Sequence, residues 1–87
     1  MTSFTISKDV LAQELDGETV LLDLASESYF SLDAVGTRVW QLLNAGQDMA
    51  AIIDTLLKEY EVERETLEHD ISELLERLGK AGLIGAA

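Results

Sequence analysis

The sequence predicts an α+β domain in which a three-stranded antiparallel β-meander precedes three α-helices. Asp16-Gly17 favours the two-residue turn of a β-hairpin, because both residues adopt positive φ readily. The spacing of apolar residues then changes from two to about 3.6 between Ser28 and Val35, where a strand gives way to a helix. Apolar residues recur at helical spacing from there to Leu78. This order of elements is typical of a winged-helix-like domain.

Three strands are predicted in the first third of the chain. Val10–Leu15 and Glu18–Leu24 flank the turn, and Tyr29–Leu32 follows after a short connection. Short connections place consecutive strands side by side, which gives the order one, two, three. Phe4–Ile6 is a candidate for a short additional strand. The third strand is therefore left with an unpaired edge.

Alternation of side chains predicts which faces of these strands are buried. In the second strand, one of the two faces should belong to the core and the other should be partly exposed. The two faces carry Thr19, Leu21 and Asp23, and Val20, Leu22 and Leu24. In the third strand, Phe30 and Leu32 share the face that should point towards the helices. Tyr29 is then expected nearer to solvent.

Each of the first two helices has a start signal. Asp33 and Asp48 are favoured N-cap residues, whose carboxylates accept hydrogen bonds from free amides of the first turn. Gly46 can end the first helix in the left-handed conformation, and Gly36 is expected to permit close approach to the sheet. The apolar stripes of the three helices are Val35, Val39, Leu42 and Leu43 beside Trp40, then Ile52, Ile53, Leu56, Leu57 and Tyr60, then Leu67, Ile71, Leu74, Leu75 and Leu78.

The chain beyond the third helix is short. The helix should close within Gly79-Lys80-Ala81-Gly82. Leu83 and Ile84 are expected to fold back as a wing or clasp, and residues 85–87 are expected to fray.

Composition limits the classes of function. The 87 residues suffice for one domain, with its core between about residues 10 and 84, and include no cysteine for disulfides or thiolate sites. The net charge of −11, with only six Lys and Arg, disfavours nucleic acid as a partner, because phosphate backbones select clustered basic residues. No signal segment or membrane-spanning run is present, so a cytoplasmic protein is expected. The oligomeric state stays open.

The polar residues do not form a catalytic or metal-binding pattern. Glu65, His69 and Glu73 lie in one row of the third helix, but a single straight helix would leave a metal half-coordinated. Ser72 follows His69 without the strained turn that a nucleophile needs. An acyl carrier would need its serine after an aspartate and at a helix start, whereas Ser31 follows a phenylalanine in a predicted strand. We therefore expect no catalytic residue, no metal and no cofactor.

Peptide recognition is the function class that remains. An edge strand presents unpaired amides and carbonyls that an extended peptide can pair with, while alternate side chains enter neighbouring pockets. A groove between the third strand and the third helix would bring Leu67, Ile71 and Leu74 to such anchors. For each of these three residues taken singly, an ordinary place in the core is the slightly favoured interpretation.

The combined pattern resembles a known family. Leu21-Leu22-Asp23-Leu24, then residues 28–33 (Ser-Tyr-Phe-Ser-Leu-Asp), then residues 35–43 (Val-Gly-Thr-Arg-Val-Trp-Gln-Leu-Leu) are similar to the PqqD-like proteins, also called RiPP recognition elements. The similarity continues through residues 56–60 and 70–84. The resemblance implies three strands and three helices that bind the leader segment of a ribosomally made precursor peptide as an added strand.

The resemblance also implies the site and the partners. The form most similar to this chain is the leader-binding protein of lasso-peptide maturation, which delivers the precursor to a leader peptidase and a cyclase. The alternative within the family is a PqqD-type chaperone for a radical SAM enzyme. A charged residue at Leu32 or Ile71 is expected to weaken binding and leave the fold intact. The peptide contacts implied are Tyr29, Phe30, Ser31, Leu32, Leu67, Asp70, Ile71 and Leu74.

Overall fold

A computed structural model describes residues 4–86 of the chain. It confirms the antiparallel three-stranded sheet followed by three helices and the candidate strand at Phe4–Ile6, and it adds a short strand at Ile84–Ala86. The elements in chain order are β1 (Phe4–Ile6), β2 (Val10–Leu15), β3 (Glu18–Asp23), β4 (Ser28–Leu32), α1 (Ala34–Asn44), α2 (Met49–Glu59), α3 (Arg64–Lys80) and β5 (Ile84–Ala86).

The predicted hairpin and meander are confirmed. Asp16 and Gly17 have φ of 55° and 81°, as a type I′ turn requires, and they join β2 to β3. β4 then pairs antiparallel with β3, so the strand order is β2-β3-β4. Asp23 stabilises the connection to β4, because its buried carboxylate accepts hydrogen bonds from the Ala25 amide at 3.1 Å and the Ser26 hydroxyl at 2.8 Å.

The helices cover one face of this sheet. On β3, Thr19, Leu21 and Asp23 are buried, whereas Val20 is 43% exposed on the opposite face. Leu32 continues the buried face onto β4 and is 3% exposed. The core side of β3 is therefore the face that carries Thr19, Leu21 and Asp23.

The start of α1 lies close against β4. The Asp33 carboxylate accepts a hydrogen bond from the Gly36 amide at 2.8 Å, which confirms the predicted N-cap. A Cβ atom on Gly36 would lie 3.2 Å from the Leu32 Cβ, so glycine permits the close approach expected at this position. Asp48 caps α2 in the same way, through the Ala51 amide at 2.9 Å.

The two ends of the described chain form a separate two-stranded sheet. β1 pairs antiparallel with β5, and Phe4 is opposite Ala86. Leu83 and Ile84 are 2% and 7% exposed, so the predicted clasp is confirmed. Fraying was the wrong expectation for Gly85 and Ala86, which lie in β5; Ala87 lies outside the described residues.

Candidate functional site

The outer edge of β4 carries free backbone hydrogen-bonding groups. Leu24 donates a backbone hydrogen bond to Asp9 at 2.8 Å, so the even-numbered residues of β3 face β2 and the odd-numbered ones face β4. The register of β4 on β3 then turns the N–H and C=O groups of Tyr29 and Ser31 away from the sheet. Within residues 4–86, β4 pairs with β3 alone.

The terminal segments leave this edge accessible. β1 and β5 pair with each other and form their own sheet, and neither pairs with β4. An added strand on β4 would therefore displace no strand of the described chain.

A groove of about 580 Å³ runs beside this edge, between β4, the start of α1 and α3. Five of the eight residues implied by the resemblance line it. Tyr29, Phe30 and Leu67 lie outside its lining. The five that line it are Ser31, Leu32, Asp70, Ile71 and Leu74.

The apolar members of this set form the floor of the groove and belong to the core. Leu32, Ile71 and Leu74 are 3%, 1% and 8% exposed. A charge at Leu32 or Ile71 would therefore be buried at a cost of several kcal/mol, so we expect such variants to lose stability as well as affinity. Ser31 and Asp70 are exposed and can contact a guest directly.

Tyr29 lies on the other face of the sheet, where it is 74% exposed. Phe30 points to the helix side and is half-buried under the Arg77 guanidinium, whose carbon atom lies 5.6 Å from the ring centre. Leu67, at 6% exposure, is a core residue of the first turn of α3.

Sequence reasoning missed part of the lining. Glu73 and Arg77 lie three and seven residues after Asp70, which places them on the same side of α3, and this spacing could have indicated them. Val35 could have been found from its position in the first turn of α1, two residues after the Asp33 N-cap. The remaining lining residues that were missed are Glu18, Asp33, Gly36 and Val39.

Two residues of the polar row on α3 contact each other. His69 Nε2 lies 3.3 Å from Glu73 Oε1. Among residues 4–86, no group of three or more His, Asp or Glu side chains is placed to hold a metal ion.

Comparison with known proteins identifies the family. The family model described as "Coenzyme PQQ synthesis protein D (PqqD)" matches residues 18–84, which include β3, β4 and all three helices. The chain belongs to the PqqD family. No curated protein matches it.

Two solved structures of similar proteins resemble this PqqD-family fold closely. One is "TbiB1 in Complex with the TbiA(beta) Leader Peptide", with 41% identity, a TM-score of 0.88, and coverage of 92% of this chain and 93% of that chain. The other is "Lasso peptide synthetase B1 complexed with the leader peptide", with 32% identity, a TM-score of 0.85, and coverage of 94% and 96%. Both relatives are thus complexes with leader peptides.

The PqqD-family chain contains no helix, within residues 4–86, that is long and apolar enough to cross a membrane.

Proposed function

We propose that this protein binds the leader segment of a ribosomally synthesised precursor peptide as a fourth strand on β4 and presents it to lasso-peptide maturation enzymes. The observation that carries the proposal is the open β4 edge beside a groove, in a chain 41% identical to a protein solved with its leader peptide. Binding and presentation need no catalytic group.

The guest would pair with two residues of the edge. Tyr29 and Ser31 each offer one N–H and one C=O, which gives up to four backbone hydrogen bonds. Each such bond contributes about 1 kcal/mol net, so backbone pairing alone gives modest affinity. Side chains of the guest must supply the rest.

Alternation assigns those side chains to two surfaces. In an antiparallel guest, the residues opposite Tyr29 and Ser31 make the backbone bonds and point to the outer face of the sheet. The residues between them point to the helix side, where the floor formed by Leu32, Ile71 and Leu74 can receive apolar anchors.

The outer face of the sheet is the surface we assign to a partner enzyme. It carries several exposed apolar residues although the chain has a net charge of −11. Two copies of so acidic a chain repel one another, as would an anionic membrane, which favours a different protein with an apolar patch and basic surroundings. A leader peptidase, with a cyclase acting afterwards, fits this role. The exposed residues are Leu11, Leu15, Val20, Leu24 and Tyr29, next to the half-buried Leu22.

The structural relatives favour a lasso-peptide role over a chaperone role with a radical SAM enzyme. One of them, 32% identical to this chain, is described as a lasso peptide synthetase B1 complexed with its leader peptide, and the other is also a complex with a leader peptide. The genes beside this one provide a direct check: a transglutaminase-like protease and an asparagine-synthetase-like cyclase are expected there.

The experiment that tests the proposal is a titration of peptides tiled over the short reading frames near this gene. Fluorescence polarisation should identify one contiguous segment that binds. Amide hydrogen exchange measured by NMR should then show that this peptide slows exchange at Tyr29 and Ser31, whose N–H groups face the open edge. Exchange at Ala12, on the opposite edge, should not change. Absence of any binding segment, or protection at Ala12 instead, would contradict the proposal.

A further inference from the structure

The groove beside β4 has opposite charges at its two ends. Arg77 marks one end, because its guanidinium covers the Phe30 ring and its side chain also borders a second hollow further along α3. From there the β4 side of the groove runs through Ser31 and Leu32 to Asp33. The groove therefore extends from the middle of β4 to the start of α1.

Carboxylates lie at the Asp33 end. Asp70 precedes Arg77 by seven residues of α3, which corresponds to about 10 Å along the helix axis. Thr19 pairs with Leu32, and the next residues of the two strands in that direction are Glu18 and Asp33, which both line the groove. The Asp33 carboxylate is already used as the α1 cap, whereas Asp70 and Glu18 are exposed acids of the lining.

These end groups are available to a ligand. Among the ion pairs of residues 4–86, none involves Arg77, Asp70 or Glu18. Glu73 also lines the groove, between the two ends, and its Oε1 lies 3.3 Å from His69 Nε2. A guest in the groove would thus meet the Arg77 guanidinium, which is in no ion pair of the described chain, at one end and, two helical turns away, the Asp70 and Glu18 carboxylates, with Glu73 in between.

We propose that these charges set the direction of the guest strand: the groove selects a peptide with a basic side chain at the Asp33 end and an acidic side chain at the Arg77 end. This inference rests on the proposed strand addition to β4. Every pairing in the sheet is antiparallel, and an antiparallel guest starts at the Asp33 end. Its basic residue therefore comes before its acidic residue in sequence.

The geometry also limits the spacing of the two charges. Both side chains must point to the helix side, so they are separated by an even number of positions. The distance of about 10 Å between Asp70 and Arg77 along α3 corresponds to about three residues of strand at 3.3 Å each. The basic residue is therefore two or four positions before the acidic one.

The expected effect of each charge is moderate. Exposed ion pairs contribute little binding free energy. A guest that excludes water from the groove strengthens a hydrogen bond between guanidinium and carboxylate. Reversing one charge replaces attraction by repulsion, so we expect affinity to fall by about fivefold or more.

The test uses charge reversal on both partners. Arg77→Glu and Asp70→Lys are compared with Lys80→Glu and Glu65→Lys, which make the same changes of net charge on α3 outside the groove lining. Affinity is measured for the peptide found by tiling and for versions with its basic or acidic residue reversed. Arg77→Glu should weaken the native peptide at least about fivefold, and a lysine at the acidic position should restore binding; the two controls should stay within about twofold.

The direction of the bound peptide along β4 is measured independently of its affinity. A nitroxide at the N-terminus of the peptide should broaden the amide signals of Ala34 and Val35 more than those of Ser26 and Glu27. Binding that is insensitive to all four substitutions, or a nitroxide effect at the Ser26 end, would overturn the inference and leave strand addition standing. If no tiled peptide bound, the proposed function would fail together with it.

Discussion

The sheet has two edges with the same backbone chemistry, and only β4 has the groove described above beside it. On β2 the outward N–H and C=O groups belong to Val10, Ala12 and Glu14, and on β4 to Tyr29 and Ser31. No residue of β2 lines the groove. Beside β2, the Glu14 carboxylate instead accepts a hydrogen bond from the Gln41 side chain of α1.

This difference teaches that an open edge alone does not specify a peptide site. Backbone groups can pair with any extended chain, so they supply register without discrimination. Side-chain selection requires a second surface at the right distance from the edge. On β4 that surface is α3, which contributes Ile71 and Leu74 to the floor and Asp70 and Arg77 to the ends of the groove.

The largest contrast between the edges should be in stability. Leu32, on the core side of β4, is 3% exposed, whereas Leu11, on the outer face of β2, is 57% exposed. Leu32→Glu should lower the free energy of unfolding by about 3 kcal/mol or more, because it buries an unpaired carboxylate, and Leu11→Glu by less than about 1 kcal/mol. Urea denaturation followed by circular dichroism measures both values. Similar losses in the two variants would show that the core does not include the β4 face as described.

Proline at each edge tests where the guest pairs. Ser31→Pro removes an outward N–H of β4, and Ala12→Pro removes one of β2; neither residue donates to the ladder with β3. We expect Ser31→Pro to weaken leader binding by about 30-fold, or about 2 kcal/mol, through the lost hydrogen bond and the bulk of the ring. Ala12→Pro should leave affinity within about twofold. Fluorescence polarisation on folded samples distinguishes the edges, and equal effects would remove the assignment to β4.

The outer face is shared by both edges and should separate peptide binding from enzyme binding. Leu15, at the end of β2, is 70% exposed. Leu15→Glu should slow leader removal by the peptidase by about tenfold through loss of an apolar contact, while peptide affinity stays unchanged. Val62→Glu is the matched control, because Val62 is 46% exposed in the connection from α2 to α3, away from the sheet. If Val62→Glu has the larger effect, the docking surface lies at the helices.

The caps of α1 and α2 give a smaller contrast. Asp33 caps α1 directly after β4, and Asp48 caps α2 away from the edge. Each change to alanine should cost about 1 kcal/mol of stability. Only Asp33→Ala should also weaken the peptide, because the Asp33 side chain lines the groove. Asparagine retains a capping oxygen, so Asp33→Asn should restore most of the lost stability in thermal melts.

The smallest effect should come from the exposed ion pair that joins α1 to α2. Arg38 donates to Glu59 at 2.7 Å, and this hydrogen bond lowers the pKa of the Glu59 carboxyl. A lowered pKa means that the pair contributes stability at neutral pH and loses it as the pH falls through the pKa of the folded state. The stability difference between the wild type and Glu59→Gln should therefore shrink in acid. A difference that grows as the pH is lowered would contradict this assignment, and urea midpoints at several pH values provide the measurement.

Much of the fold could be predicted from sequence because its signals are local. Asp16-Gly17, the Asp33 and Asp48 caps, and the leucine spacing of α3 each act within a few residues, and all four are confirmed. Short connections then left only one order for the strands of the meander. The open edge of β4 followed directly from that order.

The tertiary structure decided which surfaces meet. Alternation showed that β3 has two faces but not which of them the helices cover, and apolar spacing cannot distinguish a groove floor such as Ile71 from an exposed anchor. The pairing of β1 with β5 and the placement of Arg77 over Phe30 join residues far apart in the chain. Such contacts depend on the packing of all elements at once, because a side chain's burial is a property of its neighbours in space and not of its neighbours in sequence.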